Sequence, residues 1–302
     1  MTDKLRISPC TACGEDSHLS VLPFRCKDFT VSGEEYALAH CHRCQHRYTL
    51  KPPSESEIGK YYQSDTYVSH SNTQEGIVNK LYHIVRKRAL KRKNTIIKND
   101  TEKKTGTVLD IGCGIGAFLG QMKHSDWEVT GLEPDEGARK QAENLFGIKP
   151  EMPEKLFSFA PESFDAITMW HVLEHVHRLD EYLTQIHKIL KKDGVFFVAV
   201  PNYRSYDAEK YEAFWAGYDV PRHLHHFSPD SMEFLMQRHD FHIEKLRRMP
   251  FDAFYVSLLS EKYMNGKDRL FAGFLTGFRS FQQSNMDVRT CSSVLYVIRK
   301  KK

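Results

Sequence analysis

The sequence predicts an α/β fold, a mostly parallel sheet with helices on both faces, preceded by a small cysteine-rich unit. Three observations lead there. From Thr107 onward, apolar runs alternate with amphipathic ones, the pattern of βαβ units. Val195–Val200 is apolar without interruption, as in a strand covered on both faces. Between residues 108 and 119 a short apolar strand runs into alternating glycines and then a helix, the βα turn that opens such a sheet.

The chain has 302 residues, 43 Lys and Arg against 39 Asp and Glu, and a formal net charge of +4. Hydrophobic residues make up 40% and aromatics 12%, enough for a packed core, which excludes global disorder. This charge is no nucleic-acid signature. The apolar run Val195–Val200 falls far short of the roughly 20 residues a membrane helix needs. Met1–Arg6 offers no apolar signal segment, so a cytoplasmic protein is expected.

Composition divides the chain into residues 1–50, a cysteine-rich unit; 51–105, a linker with a basic helix; and 106–302, the α/β unit, with a helical insertion at about 251–285. The expected strands are Thr107–Asp110, Glu128–Leu132, Phe164–Met169, Gly194–Val200, Phe241–Arg247 and Ser293–Ile298. Helices are expected over Ala117–Lys123, Glu136–Phe146, Leu179–Leu190 and Pro229–Gln237. A further helix around Glu75–Lys98 carries eight basic residues and no acidic one between Lys80 and Lys98. It reads either as a solvated helix face or as an anion-facing surface through Lys87, Arg88 and Arg92.

The glycine loop reads Asp110-Ile-Gly112-Cys-Gly114-Ile-Gly116-Ala117. Glycine belongs where the backbone takes positive φ or where a ligand approaches the main chain closely. The helix after the loop turns its N–H groups toward that ligand. Gly112-x-Gly114-x-x-Ala117 alone also fits a dinucleotide fingerprint. An acid two residues before the first glycine and a glycine at 116 separate the two readings. Val129-Thr-Gly-Leu-Glu133 then ends a second strand in a carboxylate, 23 residues past Asp110, suited to accept hydrogen bonds from both ribose hydroxyls.

On these residues the chain resembles the class I S-adenosylmethionine-dependent methyltransferases. The resemblance implies a Rossmann-like, seven-stranded methyltransferase sheet. It also implies that Gly112, Gly114 and Gly116 pass under the methionine and ribose of S-adenosyl-L-methionine, that Asp110 lies near the methionine amino group and that Glu133 holds the ribose. Phe164-Asp165-Ala-Ile followed by His171-Val-Leu-Glu174-His175-Val is similar to the family's fourth strand and its exit. Trp170 and His171 are therefore expected to line the sulfonium pocket. No residue of 147–164 matches the family's adenine-contacting acid.

The loop after the strongest strand carries Trp215-Ala-Gly-Tyr218-Asp219-Val-Pro-Arg222-His223-Leu-His225-His226-Phe. It resembles a segment of bacterial methyltransferases of glycan and secondary-metabolite pathways. His223, His226 or His171 is the candidate base for a hydroxyl acceptor. Arg222 and Tyr218 are the candidate acceptor-binding residues, Arg222 gripping an anionic group. Alternatively the segment is a structural lid held by Asp219 and Arg222.

Cys10-x-x-Cys13 and Cys41-x-x-Cys44, with 27 residues between the pairs, suit two knuckles around one tetrahedral, coordinatively closed structural zinc. His40, His42 or His46 is the alternative fourth ligand. The function expected is methyl transfer to a small-molecule or glycan-intermediate acceptor. An RNA methyltransferase gripping phosphates with the ribbon and basic helix is the second reading. A non-catalytic cofactor-binding protein that recruits a partner is the third.

Overall fold

The structure, a computed structural model, describes residues 7–62 and 77–301, and only the backbone over 77–87. The central sheet has six strands in the order β5-β4-β6-β7-β10-β9. These are β4 (Thr107–Ile111), β5 (Glu128–Leu132), β6 (Phe164–Trp170), β7 (Leu190–Pro201), β9 (Phe241–Arg248) and β10 (Ser293–Lys300). The first four pair in parallel, and β10 pairs antiparallel with both β7 and β9.

The unbroken apolar run of β7 has the expected cause. Phe196, Val198 and Val200 join Leu109, Ile167 and Met169 in one buried cluster, whereas Val195, Phe197 and Ala199 join Val108 and Ala166 in the other. Alternate side chains thus face opposite layers, and both layers are buried and apolar. On the first face lie α4 (Leu179–Ile189) and α6 (Pro229–Arg238). On the second lie α1 (Ile77–Thr101) and α2 (Ala117–Lys123), while α3 (Glu136–Phe146) follows β5. Two of these helices have a local reason to start: Asp135 caps α3 through Ala138 N–H, and Ser228 with Ser231 forms a capping box on α6.

Three expectations need correction. A seventh strand beyond β5 is reduced to a single bridge, Leu132 to Glu151, because Pro150 and Pro153 deny the segment backbone donors on either side. The basic helix is no linker: Ile96 and Ile97 are buried against Phe118, Leu119 and Met122, so α1 is a layer of the α/β unit. The N-terminal unit is not self-contained either. Its strands β1 (Leu19–Lys27), β2 (Glu35–Cys41) and β3 (Arg47–Thr49) are completed by β8 (His225–His226), with Tyr48 opposite His225 and Arg47 opposite His226.

The segment before β8 contains α5 (Tyr206–Tyr211) and shares a core with the N-terminal sheet through Cys26, Leu38, Tyr211, Trp215 and Tyr218. The expected insertion is a helix pair, α7 (Asp252–Asn265) and α8 (Leu270–Met286). Among the described residues no helix is long and apolar enough to cross a membrane.

Candidate functional site

The carboxyl ends of β4, β5 and β6 converge on the glycine loop. Gly112, Gly114 and Gly116 have φ of +70°, +52° and +75°, so all three need the left-handed region that glycine enters freely. They serve different ends. A Cβ on Gly112 would lie 2.5 Å from a methyl of Val172, so that glycine admits a packed neighbour. A Cβ on Gly114 would meet no atom within 4 Å: there the main chain borders open space.

Glu133, at the end of β5, closes over this loop. Its Oε2 accepts from Gly114 N–H at 2.8 Å and its Oε1 from Asp135 N–H at 3.0 Å. Burial raises its pKa, and the two backbone donors oppose that. Asp110 is buried at the end of β4 and accepts from Thr168 Oγ1 at 2.6 Å. Burial lifts its pKa to about 7, against the Thr168 hydrogen bond and the facing Lys93.

Trp170 ends β6 with Phe118 against its edge at 5.5 Å between ring centres and Lys93 Nζ 4.0 Å from its own ring centre. Its indole N–H is buried without a hydrogen-bond partner. His171 follows at φ +58°, its N–H held by Ala199 O at 2.9 Å. Its Nε2 lies 3.1 Å from Asp252 Oδ2 and its Nδ1 3.5 Å from Glu174 Oε1, and 36% of the side-chain surface stays accessible. Burial favours the neutral ring, but the two carboxylates prevail and raise it to about 10. His171 is therefore an imidazolium at neutral pH, a proton donor rather than the expected base.

The His-rich segment departs from expectation. Arg222 is buried, with Nε on Asp219 at 2.9 Å, Nη2 on Asp219 and Asp28 at 2.6 and 3.0 Å, and Nη1 on Tyr61 O at 2.9 Å. With its guanidinium so engaged, it knits the segment to the N-terminal unit rather than gripping an acceptor. Tyr218 is buried and accepts from Arg47 Nη1 at 2.8 Å. His226 is a strand residue, its Nε2 3.1 Å from Thr49 Oγ1, and burial drives its pKa well down. His223 holds Gly217 O through Nδ1 at 2.9 Å and stacks edge-on against His175. The Asp219–Arg222 pair named in the lid alternative is present.

Cys10, Cys13, Cys41 and Cys44 converge, with their Sγ atoms all within 4.8 Å of one another and two pairs at 3.6 Å. Sulfurs on a tetrahedral zinc with bonds of about 2.3 Å are spaced about 3.8 Å apart, so the donor set fits. His40, His42 and His46 lie outside the cluster, and His46 instead meets His225 at 3.1 Å.

Lys93 and Asp252 were missed by sequence reasoning. Lys93 is one basic residue among eight, and only the packing of α1 turns it toward Trp170. Asp252 opens an insertion with no motif of its own.

A doubly wound sheet with an open glycine turn and a strand-end carboxylate defines an α/β protein built to seat a nucleoside cofactor. A family model described as a methyltransferase domain matches residues 81–246, more than half of the chain, and the chain belongs to that family. It is 33% identical over 103 residues to the ubiquinone biosynthesis O-methyltransferase of Caulobacter vibrioides, covering 32% of this chain and 41% of that protein. It is 33% identical over 101 residues to the sterol 24-C-methyltransferase of Candida albicans, covering 30% and 27%. The chain thus spans less than half the length of these curated relatives. A Galdieria sulphuraria protein assigned as a sarcosine dimethylglycine methyltransferase shares the fold, with a TM-score of 0.50 and 12% identity over 74% of this chain and 88% of that one.

Proposed function

We propose that the protein transfers a methyl group from S-adenosylmethionine to a small-molecule or glycan-intermediate acceptor. The observation that carries this reading is Glu133 bound to Gly114 N–H beside the open face of that glycine. A carboxylate fixed by two backbone donors keeps lone pairs for ribose hydroxyls, and the bare backbone leaves room for the nucleoside.

The cofactor, when bound, supplies a methyl already activated on sulfonium, so the protein's part is alignment and charge placement. Asp110, once ionised, would hold the cofactor's amino group. The unpartnered Trp170 N–H offers a donor beside the loop. His171, kept protonated by Asp252 and Glu174, sets a positive charge at the carboxyl end of β6. Cys10, Cys13, Cys41 and Cys44 would hold a structural zinc; metal analysis is expected to return about one zinc per chain.

For the RNA reading, α1 offers Arg88, Lys91 and Arg92 as exposed basic residues. Arg92 donates to Arg248 O, and Lys93 turns inward to Trp170; the Lys80, Arg86 and Lys87 side chains lie outside the described residues. To test the proposal, the protein is incubated with isotopically methyl-labelled cofactor and, in parallel, a metabolite extract or total RNA. Label appearing in a small molecule supports it; label appearing only in RNA selects the alternative, and no transfer to either contradicts both.

A further inference from the structure

We propose that Glu174, His175 and His223 form a second metal site, for a divalent first-row transition cation. One ligand atom from each lies within 4.8 Å of the others. The site is separate from the cysteine cluster and combines the turn after β6 with the His-rich segment.

Glu174 is 1% exposed, yet among the described residues neither of its carboxylate oxygens makes a close hydrogen bond. A buried carboxylate left this way is expensive unless a cation completes it. The nearest charged group is His171, whose Nδ1 stays 3.5 Å away, beyond a good charge-assisted hydrogen bond.

Both imidazoles have Nδ1 held by a backbone carbonyl. His175 Nδ1 lies 3.0 Å from Arg222 O, and His223 Nδ1 lies 2.9 Å from Gly217 O. A carbonyl can only accept, so each Nδ1 carries the proton and each Nε2 keeps its lone pair. A backbone carbonyl fixing the tautomer from behind is the usual outer support of a ligating histidine. The Tyr62 hydroxyl oxygen, 3.0 Å from His175 Nδ1, shares that proton.

Asp219 Oδ2 is 4.0 Å from His223 Nε2, but Arg222 already occupies both of its oxygens. Three protein ligands therefore remain, two nitrogens and one oxygen, leaving coordination positions open. This donor set suits manganese, iron, cobalt, nickel or zinc over magnesium or calcium, which prefer all-oxygen cages.

The test uses the full chain with zinc retained at the cysteines and cobalt(II) as the probe, followed by calorimetry and visible absorption. The wild type should take up one further cobalt per chain, with a spectrum free of thiolate charge transfer. Glu174→Gln, His175→Gln and His223→Gln should each weaken uptake by at least about tenfold, whereas His242→Gln on β9 leaves it unchanged. Retained cysteine-bound zinc reports that a variant is folded, and any one of the three that folds decides the matter. No cobalt uptake beyond the cysteine site, or uptake equal in wild type and these variants, overturns the proposal.

Discussion

Lys93 Nζ stands 4.0 Å from the centre of the Trp170 ring, so a helix that precedes the sheet in sequence supplies a cation at its ligand-binding end. Burial lowers Lys93 to about 8, and Asp110 and Asp252 work against that. Lys93→Met is predicted to raise the Asp110 pKa above its present value by removing a facing positive charge. Carbon-detected NMR titration of the carboxyl checks this; an unchanged or lower midpoint refutes the coupling.

Asp110 itself makes stability pH-dependent. Its pKa is about 7 in the folded chain, against about 3.9 unfolded. The folded state thus holds the proton more tightly, and this contribution is fully present below about pH 4 and lost as pH rises through about 7. Thermal melts should therefore show Asp110→Asn gaining on wild type as pH increases from 4 to 7. A constant difference across that window contradicts the assignment.

The loop glycines should separate by substitution. Gly112→Ala places a Cβ against Val172 as well as forcing a left-handed alanine, and should destabilise by about 2–5 kcal/mol. Gly114→Ala carries only the backbone term, about 1–2 kcal/mol, and should stay folded while losing cofactor affinity. Denaturant midpoints together with calorimetry distinguish the two.

Arg222→Met removes the guanidinium between Asp28 and Asp219, leaving Asp28 buried with its carboxylate stripped of that partner. Its effect should fall on stability, about 3–5 kcal/mol in urea unfolding. Were Arg222 instead an acceptor ligand, the folded variant would keep its midpoint and show only a raised KM.

The strands and helices of the α/β unit were legible because their periodicities are strong and their ends carry caps and glycines. Glu128–Leu132 and Ala117–Lys123 lie where the pattern put them. The cysteine cluster was legible for a similar reason, since two C-x-x-C turns bring their own geometry. What the chain order hides is pairing across distance. Nothing local says that His225 and His226 complete a sheet begun at Leu19, or that Asp28 waits for Arg222. The same applies to His171: its residue type suggests a base, and only Asp252, brought in by α7, turns it into a fixed cation.

The central claim is that the backbone at Gly114 and the Glu133 carboxylate together seat the nucleoside of S-adenosylmethionine. Calorimetric titration of that compound into wild type and Glu133→Ala tests it most directly. Loss of hydrogen bonds to a charged acceptor predicts weakening by at least about 2 kcal/mol, roughly thirtyfold in affinity. Equal affinity in the two proteins would contradict it.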